Sequence, residues 1–558
     1  MTRRLGFAVA TLLALGSTTP AAAVVHKPKA RATVARAPAA RNSARQARLL
    51  PTKKPPATAA IRRDTTTAPR EVADPNDPRE IRIAKLRERL VAVLQDGPLN
   101  RTKVGVEIMQ ASNGDVLFAH NAAVQFNPAS NTKMLTTAAA ISYLGGDFRY
   151  HTALYGPEPD ADGVVHGDVV LRGNGDPSLT TSDVAEIARA LSARGVQRIE
   201  GDLVADPRFH ARGHKPDDPG DGEGAVILNR NTYGVRVRPG DVGHPAIVSV
   251  EPKVEMFGVE NQTTTVHGKK SRLRIDSYKK DDKLIVTVRG RIADNRDDYV
   301  DLRRLADGSL LAASVLRAAF GDFGIELTGH VHSGTLAAQT LLAEHVSMPL
   351  SEVCRLSNKP SNNFIAEAIY KTLGGELYGA PGTLAKGTRA VMDFLTNEGI
   401  KPGAYKIVNG SGLTHENRIT PQDLSSLLRR IYYDISMAPE FMSSLAVAGI
   451  DGTIRNRFMG TDAVGLVRAK TGTLTGVSAL SGYVGDKDDV LIFSIFVEGF
   501  RHRRTNEVRH AQVRMVEAML SYLRSDQAAP NAGERNGEIP AATPDDSESD
   551  GDPTTGAP

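Results

Sequence analysis

The stretch Phe126-Asn127-Pro128-Ala129-Ser130-Asn131-Thr132-Lys133 stands directly before an apolar run that ends at Gly145-Gly146. Proline in the first turn and glycines after the run are typical helix boundaries, so the pattern predicts a helix over 128–144. Ser130 and Lys133 then lie one turn apart on the same helix face. A serine hydroxyl becomes a nucleophile when a base takes its proton, and a lysine amine is that base only when its pKa is lowered. A cation in the first helical turn also opposes the helix dipole, which indicates function at this position.

Two further motifs follow along the chain. Ser361-Asn362-Asn363 precedes an apolar stretch that predicts a helix over 363–373, and on its own this motif is typical of a helix N-cap. Lys470-Thr471-Gly472-Thr473 follows the strand-like run 466–469. Its lysine offers a fixed positive charge, and its glycine allows a second backbone to approach closely. An ordered set of motifs arises by chance far less often than any one member, so the set indicates an active site.

The ordered triple is typical of penicillin-binding proteins and class A β-lactamases, whose middle motif is Ser-Asp-Asn. The sequence around these motifs favours one family among the proteins that share the triple. The chain resembles the low-molecular-mass class C penicillin-binding proteins, which are D-alanyl-D-alanine carboxypeptidases/endopeptidases. Besides the quoted stretch around Ser130, the resemblance is carried by Gly173-Asn174-Gly175-Asp176-Pro177, Asn409-Gly410-Ser411-Gly412-Leu413-Thr414, Asp451-Gly452-Thr453 and Arg468-Ala469-Lys470-Thr471-Gly472-Thr473.

The resemblance implies an α/β (α+β) architecture, the serine β-lactamase/DD-peptidase-like transpeptidase fold, with an antiparallel sheet and helices interrupted by mostly β inserted domains. The local pattern agrees, because short β-like runs alternate with Gly, Asp and Pro turns over 151–345. We therefore expect a discontinuous catalytic domain, formed by 76–150 and 346–525, with the inserted β-rich domains at 151–345.

Apolar periodicity within the catalytic segments predicts further elements. The predicted helices cover 79–95, 421–432 and a last one with its apolar face from Val508 to Leu523; the predicted strands are 104–109, 116–118, 466–469, 479–484 and 490–497, the last three as an antiparallel meander.

The resemblance also implies a mechanism. Ser130 attacks the carbonyl of the D-Ala-D-Ala bond with Lys133 as general base, and the backbone N–H groups of Ser130 and Thr473 form the oxyanion hole. Water then hydrolyses the acyl-enzyme. Peptidoglycan stem peptides are the expected substrates, and β-lactams are expected to act as covalent inhibitors on the same serine.

The remaining site residues follow from the same resemblance. Ser361 and Asn363 are expected to move a proton towards the leaving amine and to hold Lys133. Lys470 and Thr471 would bind the terminal carboxylate, while the stem peptide adds as a strand along the Lys470-Thr471-Gly472-Thr473 segment. His415 occupies a position where many family members have an arginine that contacts the stem, so stem side-chain recognition is expected to differ here. The middle motif is Ser-Asn-Asn instead of Ser-Asp-Asn, which keeps the amide of Asn363.

The two ends of the 558-residue chain carry most of its net charge of +5. Residues 1–23 combine basic, apolar and small-residue regions in the order typical of a signal peptide. Residues 24–75 are predicted to be a disordered basic Ala/Pro-rich linker, and 526–558 a disordered acidic tail. We expect an exported protein of the periplasm or cell envelope, soluble or peripherally associated. The linker is more consistent with a spacer than with contact to an anionic wall or membrane surface, and nucleic-acid binding is not expected.

The sequence also contains residues that are typical of other kinds of site. The only cysteine, Cys354, excludes an internal disulfide and is predicted to be a buried thiol. His330/His332 and His210/His214 have ligand-like spacings but no acidic cluster beside them, so no metal and no cofactor are expected. Ser277-Tyr278-Lys279-Lys280 repeats the Ser-x-x-Lys spacing in a polar run, and we interpret it as chance. A β-lactamase and a non-catalytic wall-binding protein remain the alternative functions; Glu-x-x-x-Asn, expected for a class A β-lactamase, is missing between the second and third motifs.

Overall fold

The computed structural model describes residues 78–210, 224–268, 270–305, 307–337, 340–485 and 489–527. The predicted signal peptide and basic linker lie outside these residues, as does the predicted acidic tail from 528 onwards.

The described chain begins and ends with a helix. In chain order they are α1 (Pro78–Gln95), α2 (Thr132–Leu144), α3 (Thr181–Ala193), α4 (Gly308–Asp322), α5 (Leu350–Asn358), α6 (Asn363–Tyr378), α7 (Leu384–Asn397), α8 (Pro421–Tyr433), α9 (Ala438–Ser444) and α10 (Thr505–Gln527). Each helix predicted from apolar periodicity is present, and α10 runs two residues into the predicted tail. Within the described residues, every helix is too short or too polar to cross a lipid bilayer.

The strands of the described residues form five sheets. In chain order they are β1 (Lys103–Gln110), β2 (Val116–His120), β3 (His151–Gly156), β4 (Val164–Val165), β5 (Val169–Gly173), β6 (Arg198–Ile199), β7 (Leu203–Ala205), β8 (Thr232–Arg238), β9 (Ile247–Glu251), β10 (Phe257–Val266), β11 (Arg272–Lys280), β12 (Lys283–Ala293), β13 (Tyr299–Arg304), β14 (Glu326–Leu327), β15 (Val331–Ser333), β16 (Thr340–Val346), β17 (Ala446–Val447), β18 (Val467–Leu474), β19 (Val477–Gly485) and β20 (Val490–Glu498).

The largest sheet has the order β17-β18-β19-β20-β1-β2, and all neighbouring strands are antiparallel. The predicted meander forms its centre. Its first strand is longer than predicted, since β18 continues from Val467 to Leu474. The motif that begins at Lys470 therefore lies inside a strand, where the sequence had suggested that it follows one.

Both faces of this sheet are covered by helices. Because successive strand residues point to opposite faces, Phe493 and Ile495 of β20 pack with α1 and α10, whereas Ile492 and Phe496 pack with the helices on the other side. The second layer contains α2, α5, α6, α7 and α8. A sheet buried on both faces explains why β20 is a nearly continuous apolar run.

The segment between α2 and α5 is mostly β, as predicted, and its strands form the four smaller sheets. It also contains two helices, α3 and α4, which the prediction of β-rich inserts overlooked. Thr180 and Asp183 form a capping box at the start of α3, and Asp307 caps α4 by accepting from Leu310 N. These caps are helix-start signals that the sequence does contain.

The inserted segment contacts the N-terminal half of α6. Ile227 packs against Phe364 and Ala368 in a small buried cluster, and the Arg304 guanidinium carbon lies 5.1 Å from the centroid of the Phe364 ring. Apart from this cluster, the hydrophobic cores of the two parts draw on separate residues. The exact boundaries of the domains stay a prediction.

Candidate active site

Ser130 lies in a short 3-10 turn, Ala129–Asn131, that leads directly into α2. Ala129 has φ 45°, a left-handed conformation that costs a residue with a Cβ about 1 kcal/mol. Its neighbours hold it there, because Ala129 N donates to Asn127 Oδ1 at 2.7 Å and Thr132 Oγ1 donates to the Ala129 carbonyl at 2.8 Å. This turn presents the half-buried Ser130 side chain at the N-terminal end of α2.

Lys133 is fully buried in the first turn of α2. Its Nζ donates to Ser130 Oγ at 3.1 Å, to Asn363 Oδ1 at 2.7 Å and to the Ser411 carbonyl at 2.6 Å. Burial lowers the pKa of Lys133 to about 7, and the charge of Glu367 opposes this shift. The amine is therefore substantially neutral at pH 7, which a proton acceptor for Ser130 requires.

The second motif approaches from the start of α6. Asn362 is the N-cap of this helix, since its side chain accepts from Ile365 N. Ser361, which precedes this N-cap, has φ 60°, and Asn363 in the first turn accepts from Lys133 Nζ. The structure thus divides the two predicted roles: Asn363 holds Lys133, whereas the Ser361 hydroxyl accepts from Lys470 Nζ at 2.8 Å.

The third motif brings β18 against the turn that carries Ser130. A Cβ added to Gly472 would lie 2.6 Å from the Pro128 carbonyl oxygen, so a glycine is required for this close approach. Lys470 is fully buried, and its pKa is lowered well below the usual value by burial and by the nearby Lys133. Its charge is therefore less permanent than the sequence suggested.

One edge of β18 is open beyond its first residues. On that side β17 pairs only with Arg468 and Ala469, while on the other side β19 pairs along the whole strand to Leu474. Along the described chain, the segment 470–474 therefore has a free edge beside Ser130. An extended peptide can add to such an edge as a further strand.

Comparison with known proteins bears on this arrangement. The D-Ala-D-Ala carboxypeptidase 3 (S13) family model matches residues 86–519. The chain belongs to this family. It is 32% identical over 444 residues to a D-alanyl-D-alanine carboxypeptidase from Actinomadura sp. (strain R39), an alignment that covers 75% of this chain and 82% of the relative. It is 25% identical over 422 residues to the D-alanyl-D-alanine carboxypeptidase DacB from Haemophilus influenzae, covering 72% of this chain and 86% of the relative.

The fold of this S13 family member is also that of a solved structure. The crystal structure of penicillin binding protein 4 (dacB) from Haemophilus influenzae matches with a TM-score of 0.64 and 24% identity, over 78% of this chain and 99% of that chain. The family resemblance and the fold class that it implies are confirmed.

The motif analysis assigned no role to two residues of this candidate site, a glutamate and a threonine. Glu367 lies one turn after Asn363 on α6 and is buried, and its carboxylate accepts from the backbone N atoms of Gly410 and Ser411 at 3.0 and 2.8 Å. Burial raises the pKa of Glu367. The sequence does contain a signal, because Glu367 interrupts an otherwise apolar helix and Asn409–Thr414 belongs to the family resemblance. The pairing itself joins residues distant in sequence.

A further hydroxyl lies beside the third motif. Thr471 Oγ1 donates to Thr453 Oγ1 at 2.8 Å, which places the Asp451-Gly452-Thr453 stretch next to β18. The sequence marked this stretch only as part of the resemblance and assigned it no role.

His415 is exposed on the loop after Thr414, and its carbonyl accepts from Arg418. Among the described residues, no hydrogen bond joins its side chain to the cluster around Lys133, so its predicted contact with the stem stays a prediction.

The other residues weighed from the sequence lie elsewhere. Cys354 is fully buried in the apolar core, as predicted. His210 is buried with its ring 3.2 Å from Thr372 Oγ1. His330 and His332 are exposed, and the His332 ring lies 3.4 Å from Asp202. His214 lies outside the described residues. The described part of the chain contains no cluster of three or more His, Cys, Asp or Glu side chains suited to a metal ion. The second Ser-x-x-Lys spacing, at Ser277, lies on strand β11, where side chains three residues apart point to opposite faces.

Proposed function

We propose that this S13 family member is a serine-type D-Ala-D-Ala carboxypeptidase that acts on peptidoglycan stem peptides through an acyl-enzyme on Ser130. The observation that carries the proposal is the 3.1 Å contact between Ser130 Oγ and the buried, readily deprotonated amine of Lys133. Buried amines of this kind act as bases towards a hydroxyl, whereas a purely structural lysine would be placed where it keeps its charge.

The first half of the reaction acylates the serine. Lys133 takes the hydroxyl proton while Ser130 Oγ attacks the carbonyl carbon of the penultimate D-alanine. The negative charge on the carbonyl oxygen is stabilised by the backbone N–H groups of Ser130 and Thr473. The C–N bond then breaks, and Ser361 passes a proton from the Lys133–Lys470 cluster to the leaving amine.

The second half of the reaction hydrolyses the acyl-enzyme. A water molecule gives a proton to Lys133 and attacks the ester carbonyl, so that the stem peptide leaves with a new carboxylate and Ser130 recovers its hydroxyl. A β-lactam acylates Ser130 by the same attack, and its ring-opened product leaves slowly because the leaving amine stays attached. The protein is therefore expected to bind penicillin covalently.

The test compares two serines with the same Ser-x-x-Lys spacing. Ser130→Ala should abolish both D-Ala release from a D-Ala-D-Ala peptide and the mass adduct formed with penicillin. Ser277→Ala, on the exposed strand β11, should leave both at the wild-type level. Full peptidase activity in Ser130→Ala would overturn the assignment, and rapid penicillin turnover without a lasting adduct would favour the β-lactamase alternative.

We further propose that the enzyme has both carboxypeptidase and endopeptidase action, because the stem peptide on the acyl side of the scissile bond is the same in both reactions and can add to the open edge of β18. Digestion of purified muropeptides separates the two activities: loss of terminal D-Ala reports the first, and splitting of cross-linked dimers reports the second. Absence of dimer splitting would restrict the enzyme to carboxypeptidase action.

We propose that the protein is exported to the periplasm or cell envelope after removal of residues 1–23, and that 24–75 act mainly as a spacer. N-terminal sequencing of the mature protein and cell fractionation test the first statement. Deletion of 24–75 tests the second, since a spacer can be removed without loss of co-sedimentation with peptidoglycan. Lost co-sedimentation would show direct contact of this basic segment with the wall.

A further inference from the structure

Arg509 of helix α10 reaches the strand that carries the third motif. Its guanidinium Nη2 donates to Thr473 Oγ1 at 3.2 Å. Thr473 is exposed and Arg509 is half-buried, so both groups are accessible from solvent. Thr471 and Thr473 lie two residues apart on β18, and their side chains therefore share one face of the strand. Arg509 thus adds a cation to the row of hydroxyls beside the open strand edge.

A buried network fixes the position of Arg509. Ser478, the residue paired with Thr473 across β18 and β19, donates to Gln512 Oε1 at 3.0 Å. Arg457 donates to the same oxygen at 2.6 Å and to the Arg509 carbonyl at 3.1 Å. Gln512 is fully buried. Because Arg509 precedes Gln512 by three residues, the two side chains lie on the same face of α10, and the anchored glutamine sets Arg509 opposite Thr473.

The site needs such a cation because its lysines are poorly suited to hold an anion alone. Lys133 and Lys470 are both buried, and burial lowers the pKa of each. Lys470 Nζ already donates to Ser361 Oγ and to the Thr471 carbonyl. A guanidinium keeps its charge and offers a planar set of donors that matches a carboxylate.

We propose that Arg509 binds the C-terminal carboxylate of the substrate together with the hydroxyl of Thr473, and so makes the enzyme select peptides that end in a free carboxylate. The inference rests on the proposed D-Ala-D-Ala carboxypeptidase function and names a specificity residue for it. Arg509 lies outside the three motifs, on a helix that the sequence analysis treated only as part of the core.

The test uses two peptides that differ only at the C-terminus, one ending in D-Ala-D-Ala with a free carboxylate and one with a C-terminal amide. For Arg509→Gln, kcat/KM on the acid should fall about 30- to 100-fold, as expected for losing a charged hydrogen bond, while kcat/KM on the amide changes less than about 3-fold. The acid-to-amide ratio should therefore collapse. Arg509→Lys, which keeps a charge but not the planar donors, should show an intermediate ratio.

The matched control is Arg514→Gln. Arg514 is another arginine of α10, but its guanidinium pairs with Asp96 at 2.6 Å. This variant should keep the wild-type acid-to-amide ratio. The ratio is insensitive to a general loss of folded enzyme, because such a loss lowers both kcat/KM values equally.

Two negative results have different meanings. An active wild type whose acid-to-amide ratio is unchanged in Arg509→Gln would overturn this inference alone. A wild type inactive on both peptides, and without a penicillin adduct, would overturn the proposed function and the inference with it.

Discussion

Lys133 is the residue whose protonation state should set the pH dependence of the reaction. Its pKa is lowered to about 7, so the amine gains a proton as the pH falls below this value and then cannot accept one from Ser130. We expect the rate constant of penicillin acylation to fall about tenfold per pH unit well below pH 7 and to level off above pH 8. Stopped-flow acylation between pH 5 and 9 measures this profile. A flat profile over that range would exclude Lys133 as the base.

Glu367 acts on Lys133 through its charge and through the loop that it holds. Glu367→Gln removes the charge that raises the pKa of Lys133, so the acidic limb of the pH profile should move to lower pH. The amide also offers one acceptor where the carboxylate offers two for Gly410 and Ser411, and we expect kcat to fall about tenfold through misplacement of the Ser411 carbonyl.

The control for this prediction is Glu376→Gln. Glu376 lies at an exposed position of the same helix, and its carboxylate accepts from Asn174 Nδ2 at 3.4 Å. The Glu376→Gln variant should have the same pH profile as the wild type. A Glu367→Gln profile that coincides with the wild-type profile would reduce Glu367 to a structural contact.

At the scale of elements, the contact between β18 and the Ser130 turn depends on Gly472. In Gly472→Ala, the added Cβ would meet the Pro128 carbonyl oxygen at 2.6 Å and the Ala129 Cβ at 3.0 Å, so strand and turn must separate. A small displacement of reacting groups lowers rates strongly, and we expect kcat/KM to fall about 100-fold. Penicillin acylation and thermal unfolding measure the two effects separately.

Gly321→Ala is the matched substitution. Gly321 lies in α4, and a Cβ there would meet nothing within 4 Å. Alanine in a helix is favoured over glycine by about 0.5–1 kcal/mol, so this variant should be as active as wild type and slightly more stable. Equal activity in Gly472→Ala and wild type would show that the strand tolerates the displacement.

Strand β1 carries a buried acid, Glu107, that should make stability pH-dependent. Burial raises the pKa of Glu107 to about 7, with the charge of Asp423 adding to the shift. The folded protein then holds this proton more tightly than the unfolded chain, so the cost of ionisation is absent below about pH 4.5 and grows as the pH rises to about 7. Glu107→Gln should therefore stabilise the protein by about 2 kcal/mol at pH 8 and change little at pH 4.5.

Urea unfolding at the two pH values checks this prediction. The exposed Glu326 provides a control, because Glu326→Gln should have the same small effect on the free energy of unfolding at both pH values. A Glu107→Gln effect that does not depend on pH would contradict the assigned cause.

At the scale of the whole molecule, the separate hydrophobic cores suggest two units of unfolding. The cores around the six-stranded sheet and those of the inserted segment consist of separate residues, and the small cluster of Ile227, Phe364 and Ala368 joins the two parts. We expect two calorimetric transitions. Acylation of Ser130 by penicillin should raise only the one that belongs to the catalytic part, because a ligand stabilises the unit that binds it. A single transition that moves as a whole would show that the two parts unfold together.

Local regularities explain how much the sequence could predict. Ser130 and Lys133 are separated by one helical turn, so their proximity follows from the helix alone. Alternation and apolar runs likewise located β1, β19 and β20. The helices α3 and α4 were missed because 151–345 was predicted to be β-rich as a whole. The capping residues of both helices are nevertheless present in the sequence. Glu367 was given no role, because its contacts with Gly410 and Ser411 join residues that are 43 and 44 positions apart.

The sequence by itself determined the family, the order of the motifs and the nucleophile–base pair, because these depend on identity and on short-range spacing. The tertiary structure alone decided which distant groups meet: Glu367 with the Ser411 loop, Ser361 with Lys470, and Arg509 with Thr473. It also decided the electrostatics of the site. A lysine pKa is lowered by the removal of water and by neighbouring charges, and both arise only when the strands and helices pack around it.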